Sequence, residues 1–281
     1  MAKRNLTMLN WWGGKNHLLN HIYPFPQHYR FIDVFGGAGT VLINKPKCAR
    51  EIYNDLNENI FNLFKIIQSN LDEFLNLHNI LGTLDSRSIF DWFMNKLNEH
   101  DQGVVELTPI QKAVAYFYVQ KRSYAGMGNR YAIQHKYATK FKQIHNRIKD
   151  VTFENLSFER LLKRPYTNKQ DTVIYLDPPY AKGGEYYEKM QGGNQFPLDQ
   201  ITEMCELVCD LNSYVCISYD TDLSEELSGS KWIRKKIPRL NHHATKDGTK
   251  RLAYEYVITN YDINTVPHQK SNSDRSLIDF L

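Results

Sequence analysis

Apolar runs and apolar stripes take turns along this chain, and their order predicts an α/β protein. Phe31-Ile32-Asp33-Val34-Phe35, Glu51-Ile52-Tyr53, Val173-Ile174-Tyr175-Leu176 and Val215-Cys216-Ile217-Ser218 read as short buried strands, rich in β-branched and aromatic residues. Between the second and third runs the period changes. From about residue 56 to 80, Ile60, Phe61, Leu63, Phe64, Ile67, Leu71 and Leu75 recur at roughly helical spacing. Helical patterning returns from Ser88 to Leu97 and from Thr108 to Gln120, where Pro109 suits a first helical turn. Ile233 to Ile237 and Leu252 to Asn260 read as the strands of a hairpin. Asn241 to Thr249 is then its loop, with Asp247-Gly248 as a turn signal. Residues from about 60 to 150 thus read as a helical insertion between two halves of one sheet. Residues after about 264 read as a loosely held polar tail.

The chemistry is concentrated where the strands stop. The third run is followed at once by Asp177-Pro178-Pro179-Tyr180. In open α/β sheets, ligands bind outside the carboxyl ends of the strands. Two prolines stiffen the turn and remove two backbone donors, which leaves the Pro178 carbonyl free to accept a hydrogen bond. A carboxylate, a spare carbonyl and an aromatic face suit a planar base that bears an amino group. The same residues also describe an ordinary strand-ending turn with a packing tyrosine.

The first run leads into Gly36-Gly37-Ala38-Gly39 and then a helix-like segment from Thr40. Glycines let a backbone approach a ligand closely. The spacing is neither a dinucleotide fingerprint nor a phosphate-binding loop. An acid after the second strand of such a unit hydrogen-bonds ribose hydroxyls, and Asp55 stands there, after Asn54. Asp33 and Asp55 together fit a nucleoside ligand without phosphate. Either acid alone also fits a helix cap or a turn.

In order along residues 8 to 261, the pieces resemble the DNA adenine methylase (Dam-like) family of S-adenosylmethionine-dependent methyltransferases. They are Asn10-Trp11-Trp12-Gly13-Gly14-Lys15, Asp33 to Gly39, Asn54-Asp55, Phe153 to Phe158, Asp177 to Tyr180, and the strand Val215 to Ser218. The resemblance implies a Rossmann-like methyltransferase sheet with helices on both faces and a terminal β-hairpin, plus a mainly helical target-recognition insertion. It implies a cofactor-binding catalytic domain from 1–59 and 151–264, a DNA-binding domain from 60–150, and a tail from 265–281. It places S-adenosylmethionine on Trp11, Gly13, Lys15, Asp33, Phe35, Gly36, Gly37, Gly39, Asp55, Ser157, Phe158 and Asp177. It makes Asp177, Pro178 and Tyr180 catalytic for methylation of the exocyclic amino nitrogen of adenine, with the base flipped out of double-stranded DNA. The common pattern has an acid where Ser157 stands, which weakens the adenine contact assigned there. GATC-methylating relatives carry an Asn and a Pro-Phe-Gly turn in their recognition region, whereas this chain has Ala125 after Tyr124 and no such turn between 131 and 142.

Composition narrows the partners. The 281 residues are 42% hydrophobic and carry a formal net charge of +4, so a nucleic-acid surface has to come from local clustering. From Lys121 to Lys149 there are eight Lys and Arg residues and no acid, interleaved with Tyr124, Tyr131, Tyr137 and Phe141. Basic side chains there would meet phosphates, while Asn and Arg read base edges. Arg122, Tyr124, Met127, Asn129, Arg130 and Lys136 are the DNA-binding candidates, joined by Lys246 from the hairpin loop. Residues 136 to 149 also read as a solvated helix face. Ala181 to Phe196, with its paired glycines, reads as a lid. Cys48, Cys205, Cys209 and Cys216 read as small hydrophobes in a reducing cytosol, and the adjacent His242 and His243 as surface residues, so no metal is expected. No apolar run is long enough to span a bilayer. A monomer or weak dimer is expected. Three alternatives stay open: an amino methyltransferase acting on RNA adenine or on cytosine, a DNA-binding protein that kept the fold without activity, and, more distantly, a Rossmann dehydrogenase.

Overall fold

The computed structural model describes residues 5–9, 11, 13–82, 84–132, 139–180, 196–229, 231–244 and 250–266. Within these, one sheet has the strand order β3-β2-β1-β4-β5-β7-β6. Strand β1 (Arg30–Asp33) lies parallel between β2 (Arg50–Asn54) and β4 (Thr172–Leu176). The parallel set is completed by β3 (Thr152–Glu154) beside β2 and β5 (Tyr214–Tyr219) beside β4. A hairpin of β6 (Ile233–Ala244) and β7 (Lys250–Thr259) is added antiparallel to β5.

The strands are apolar runs because both faces are covered. Phe31, Tyr53, Val173 and Tyr175 point into one core, whereas Ile32, Ile52, Ile174 and Leu176 point into the other. The second core is closed by α8 (Phe158–Leu162) and α9 (Leu198–Cys209). The first is closed by α1 (Leu19–Ile22), α2 (Thr40–Asn44) and the helices that separate β2 from β3.

Those helices are α3 (Glu58–Ser69), α4 (Leu71–Leu77), α5 (Arg87–Asp101), α6 (Pro109–Arg122) and α7 (Phe141–Ile148). The single helix predicted from 56 to 80 is two helices broken at Asn70, whose φ/ψ of −132°/38° is not helical, followed by a π turn over His78–Gly82. Helix α6 starts as its sequence requires. The Thr108 hydroxyl accepts from the Gln111 amide, Gln111 bonds back to Thr108, and Pro109 occupies the first turn.

Two further expectations are corrected. The hairpin loop placed at Asn241 to Thr249 is strand as far as Ala244, so His242 and His243 lie on β6. Arg147, part of the basic stripe, points inward. Its guanidinium bonds Glu51 on β2 at 2.6 and 2.8 Å and the Leu42 carbonyl at 2.5 Å. Lys45 meets the same carboxylate at 2.5 Å. Burial alone would raise the Glu51 carboxyl, but these two cations hold it below its usual range. A buried acid demanded partners, and α7 supplied one.

Candidate active site

The strand order reverses between β1 and β4, with β2 and β3 to one side and β5 to the other. A crevice forms at the carboxyl ends of strands at such a point. In the register of the two strands Asp33 faces Tyr175, so Asp177 follows two residues beyond that level. Both acids open into one cavity of about 540 Å³. Of the twelve positions predicted to hold the cofactor, Trp11, Gly13, Lys15, Asp33, Phe35, Gly36, Gly37, Asp55, Ser157, Phe158 and Asp177 line it. Gly39 does not. With φ of +66°, it donates to the Gly36 carbonyl at 2.8 Å and closes the turn into α2.

The glycine loop is shaped from below. A Cβ on Gly36 would stand 2.1 Å from the ring of the buried Tyr53, whose hydroxyl donates to the Gly37 carbonyl at 2.6 Å. Gly37 has φ of +48°, and a Cβ there would stand 2.8 Å from the Trp11 indole nitrogen. Asp55 clamps the loop by accepting from the amides of Gly37 at 2.7 Å and Asn57 at 2.8 Å. Each of its carboxylate oxygens has a second lone pair to offer a ligand. Asp33 is buried, and its Oδ1 has no partner among the described residues. Burial first, then the Asp177 and Asp55 carboxylates, push its carboxyl well above the ordinary range.

On the other wall, the Lys15 ammonium lies 2.9 Å from Asp177 Oδ1 and donates to the Tyr180 hydroxyl at 2.5 Å. Burial raises the Asp177 carboxyl to about 6, although Lys15 opposes the shift. Tyr180 is pushed up by burial and by the Asp177 and Glu255 carboxylates, so its hydroxyl keeps its proton. Phe35, Phe158 and Phe196 form an aromatic cluster, with ring centroids 5.5 to 5.8 Å apart. Six acids and two lysines line this cavity, and the excess of acids suits a cationic ligand.

The profile of the D12 class of N6 adenine-specific DNA methyltransferases matches residues 11–241. The chain belongs to that family. Among curated relatives, the DNA adenine methylase of Haemophilus influenzae is 25% identical over 258 residues, covering 84% of this chain and 87% of that one. The DNA adenine methylase of Escherichia coli K12 is also 25% identical, covering 80% and 84%. A modification methylase of Lactococcus lactis, LlaI, is 23% identical over 74% of this chain but only 35% of its own length.

In this D12-class chain the recognition candidates separate. After α6, Ser123 bridges Tyr131, enclosing a 3-10 turn at Tyr124–Gly126. The loop is tight. Its Tyr124 amide donates to the Arg130 carbonyl at 2.7 Å, and the Gly128 amide to the Ser123 hydroxyl at 2.8 Å. Tyr124, Asn129 and Arg130 are exposed at its tip, whereas Met127 is buried beneath it. Arg122 is mostly covered, stacked 4.1 Å over the Tyr118 ring and 3.6 Å from Asp85. Lys136, Lys246, the span 181–195 of the expected lid and the tail beyond 266 lie outside the described residues. Among the described residues, no helix is long and apolar enough to cross a membrane.

Sequence reasoning missed Glu255, Arg239 and His17. Glu255 is fully buried and accepts from the Tyr180 hydroxyl at 2.8 Å. The one signal available was an acid inside the apolar strand pattern of residues 252 to 259.

Proposed function

We propose that this D12-class protein transfers a methyl group from S-adenosylmethionine to the exocyclic N6 of an adenine flipped out of duplex DNA. The observation that carries the reading is the single cavity that joins the glycine loop of β1 to the Asp177-Pro178-Pro179-Tyr180 turn of β4. The chain's residues fit the cofactor. The unpartnered Asp33 oxygen and the acidic wall suit its cationic groups, Asp55 its ribose, and the glycine loop a close approach of backbone. Ser157 and Phe158 are the adenine contacts of this proposal. When bound, the cofactor supplies an electrophilic methyl group on a sulfonium.

The remaining work falls to the protein. Asp177 and the Pro178 carbonyl accept the two amino protons of the target base, which fixes the direction of the nitrogen lone pair. Tyr180 stacks on the base. Lys15 favours the ionised form of Asp177 against the effect of burial. The rate then derives chiefly from orientation, and flipping costs roughly a few kcal/mol. Residues 60–150 present the recognition loop to the duplex, while 1–59 and 151–264 hold the cofactor and the chemistry.

Labelled methyl transfer to unmethylated duplex DNA, followed by sequencing that detects N6-methyladenine, tests this. One enriched motif is expected. Methyl incorporated into RNA but not into DNA would overturn it. Asp177→Ala should abolish transfer and largely spare cofactor binding. Equal loss of both would refute the role given to Asp177.

A further inference from the structure

Behind the catalytic turn lies a second layer of charge that the proposed chemistry does not use. Strand β7 alternates, with Val257 buried in the first core and Tyr254 exposed. Position 255 shares the face of 257, where the pattern calls for an apolar side chain. A carboxylate stands there instead, 0% exposed. Its Oε1 accepts from Tyr180 at 2.8 Å and from Arg239 on β6 at 2.7 Å, and lies 3.8 Å from the Lys15 ammonium. Its Oε2 lies 2.9 Å from His17 Nε2. Desolvating an acid at this depth is costly unless it is paired, and this one is paired at both oxygens. Despite burial, His17, Lys15, Tyr180 and Arg239 hold it down to about 2, so it stays ionised at working pH.

The placement bears on the reacting groups. Lys15 touches both Asp177 and Tyr180, and Lys15 and Tyr180 each also touch Glu255. Glu255 adjoins the end of the β5–β7 pairing, where Tyr219 meets Tyr256, and so sits at the carboxyl end of the parallel strands. Through Arg239, on the other arm of the hairpin, the same carboxylate ties β6 to the catalytic turn. Resting on the function proposed above, we infer that Glu255 is a positioning residue for methyl transfer: it fixes the Tyr180 hydroxyl and shares the Lys15 ammonium with Asp177, so that the base-binding turn is held by the terminal hairpin.

Two features separate this role from plain fold support. Glu255 and Lys15 act on Asp177 with opposite sign, so removing the Glu255 charge should make Asp177 easier to ionise. In addition, the Tyr180 hydroxyl is the physical link, and it can be deleted while the ring is kept.

The test compares Glu255→Gln and Tyr180→Phe with wild type. It uses methyl transfer to duplex DNA as a function of pH, together with cofactor titration and thermal unfolding. Misplacement of reacting groups by about 1 Å can lower a rate about a hundredfold. Folded Glu255→Gln should therefore lose about tenfold or more in kcat, keep cofactor affinity, and shift the acid limb of its pH profile below that of wild type. Tyr180→Phe should lose kcat with cofactor binding kept. A folded Glu255→Gln with wild-type kcat and an unmoved acid limb overturns the inference. If Glu255→Gln does not fold, Tyr180→Phe decides, and wild-type kcat in that variant overturns it. An inactive wild type would instead sink the proposed function, which keeps the two failures distinct.

Discussion

At the scale of single residues, Asp177 carries two opposed demands. In the proposed transfer it accepts an amino proton best when ionised, yet it sits where burial raises it to about 6 against an ordinary 3.8. The folded protein holds this proton more tightly than the unfolded chain does. Stability from this group therefore falls as pH rises between those values, and the full penalty is present above about 6. Activity should run the other way, rising with pH through about 6. A profile flat from pH 5 to 8 would show that Asp177 does not titrate as the catalytic acceptor. Asp177→Asn removes the penalty but also an ion pair to Lys15. Between 3.8 and about 6, with the Lys15 attraction already counted, the penalty at about 1.4 kcal/mol per pH unit is about 3 kcal/mol. The substitution should therefore stabilise the free protein at pH 8 by up to that amount, while lowering transfer. A lower unfolding temperature at pH 8 would contradict that. Active-site strain of this kind is a familiar trade of stability for function.

At the scale of elements, one basic stretch divides into two jobs. Arg147 on α7 bonds Glu51 under β2, while Arg130 projects from the loop closed by Ser123 and Tyr131. Arg147→Met leaves a buried acid short of a partner and should cost about 3 kcal/mol of stability, with DNA affinity unchanged once the protein is folded. Arg130→Ala should leave stability alone, weaken DNA binding, and reduce the salt dependence by about one counterion. Denaturant midpoints and binding isotherms at several salt concentrations check both, and a reversed pattern would return Arg147 to the DNA surface. This division also marks what the sequence could show. The strand runs, the start of α6, the glycine loop and the acids Asp33, Asp55 and Asp177 were legible because each is set by neighbours in the chain: a proline at a first turn, glycines in a tight loop, an acid ending a strand. Trp11, Gly13, Lys15, Ser157 and Phe158 were reached only through the family resemblance. The inward turn of Arg147 was not, because its partner is 96 residues away. Nor was the network around Glu255, whose partners Lys15, Tyr180 and Arg239 come from three separate segments. A charge count sees a run of cations but cannot see which of them a buried acid will claim.

At the scale of the whole molecule, the helical segment between β2 and β3 is an insertion in sequence but not in the core. Phe31, Tyr53 and Val173 of the sheet share one apolar cluster with Phe64 and Ile67 of α3, Tyr116 and Phe117 of α6, and Ile144 of α7. Tyr53 alone packs within 4.6 Å of the Phe64 ring, centroid to centroid, and its hydroxyl shapes the glycine loop. Removing residues 58–149 would therefore strip much of one face of the sheet, leaving only α1 and α2 on it, and also the support of the glycine loop. At roughly 1.5–3 kcal/mol for each large apolar side chain returned to water, the loss exceeds the roughly 5–15 kcal/mol by which a native protein is stable. The helical segment and the sheet should consequently unfold together. Calorimetry of the intact protein should give one transition, with the calorimetric enthalpy equal to the van't Hoff enthalpy. Tryptophan fluorescence and far-ultraviolet dichroism should share its midpoint. Two resolved transitions would mean that the common core couples the two parts more weakly than its packing implies. The proposed recognition loop and the proposed base-binding turn would then be joined by a hinge rather than by a single rigid interior.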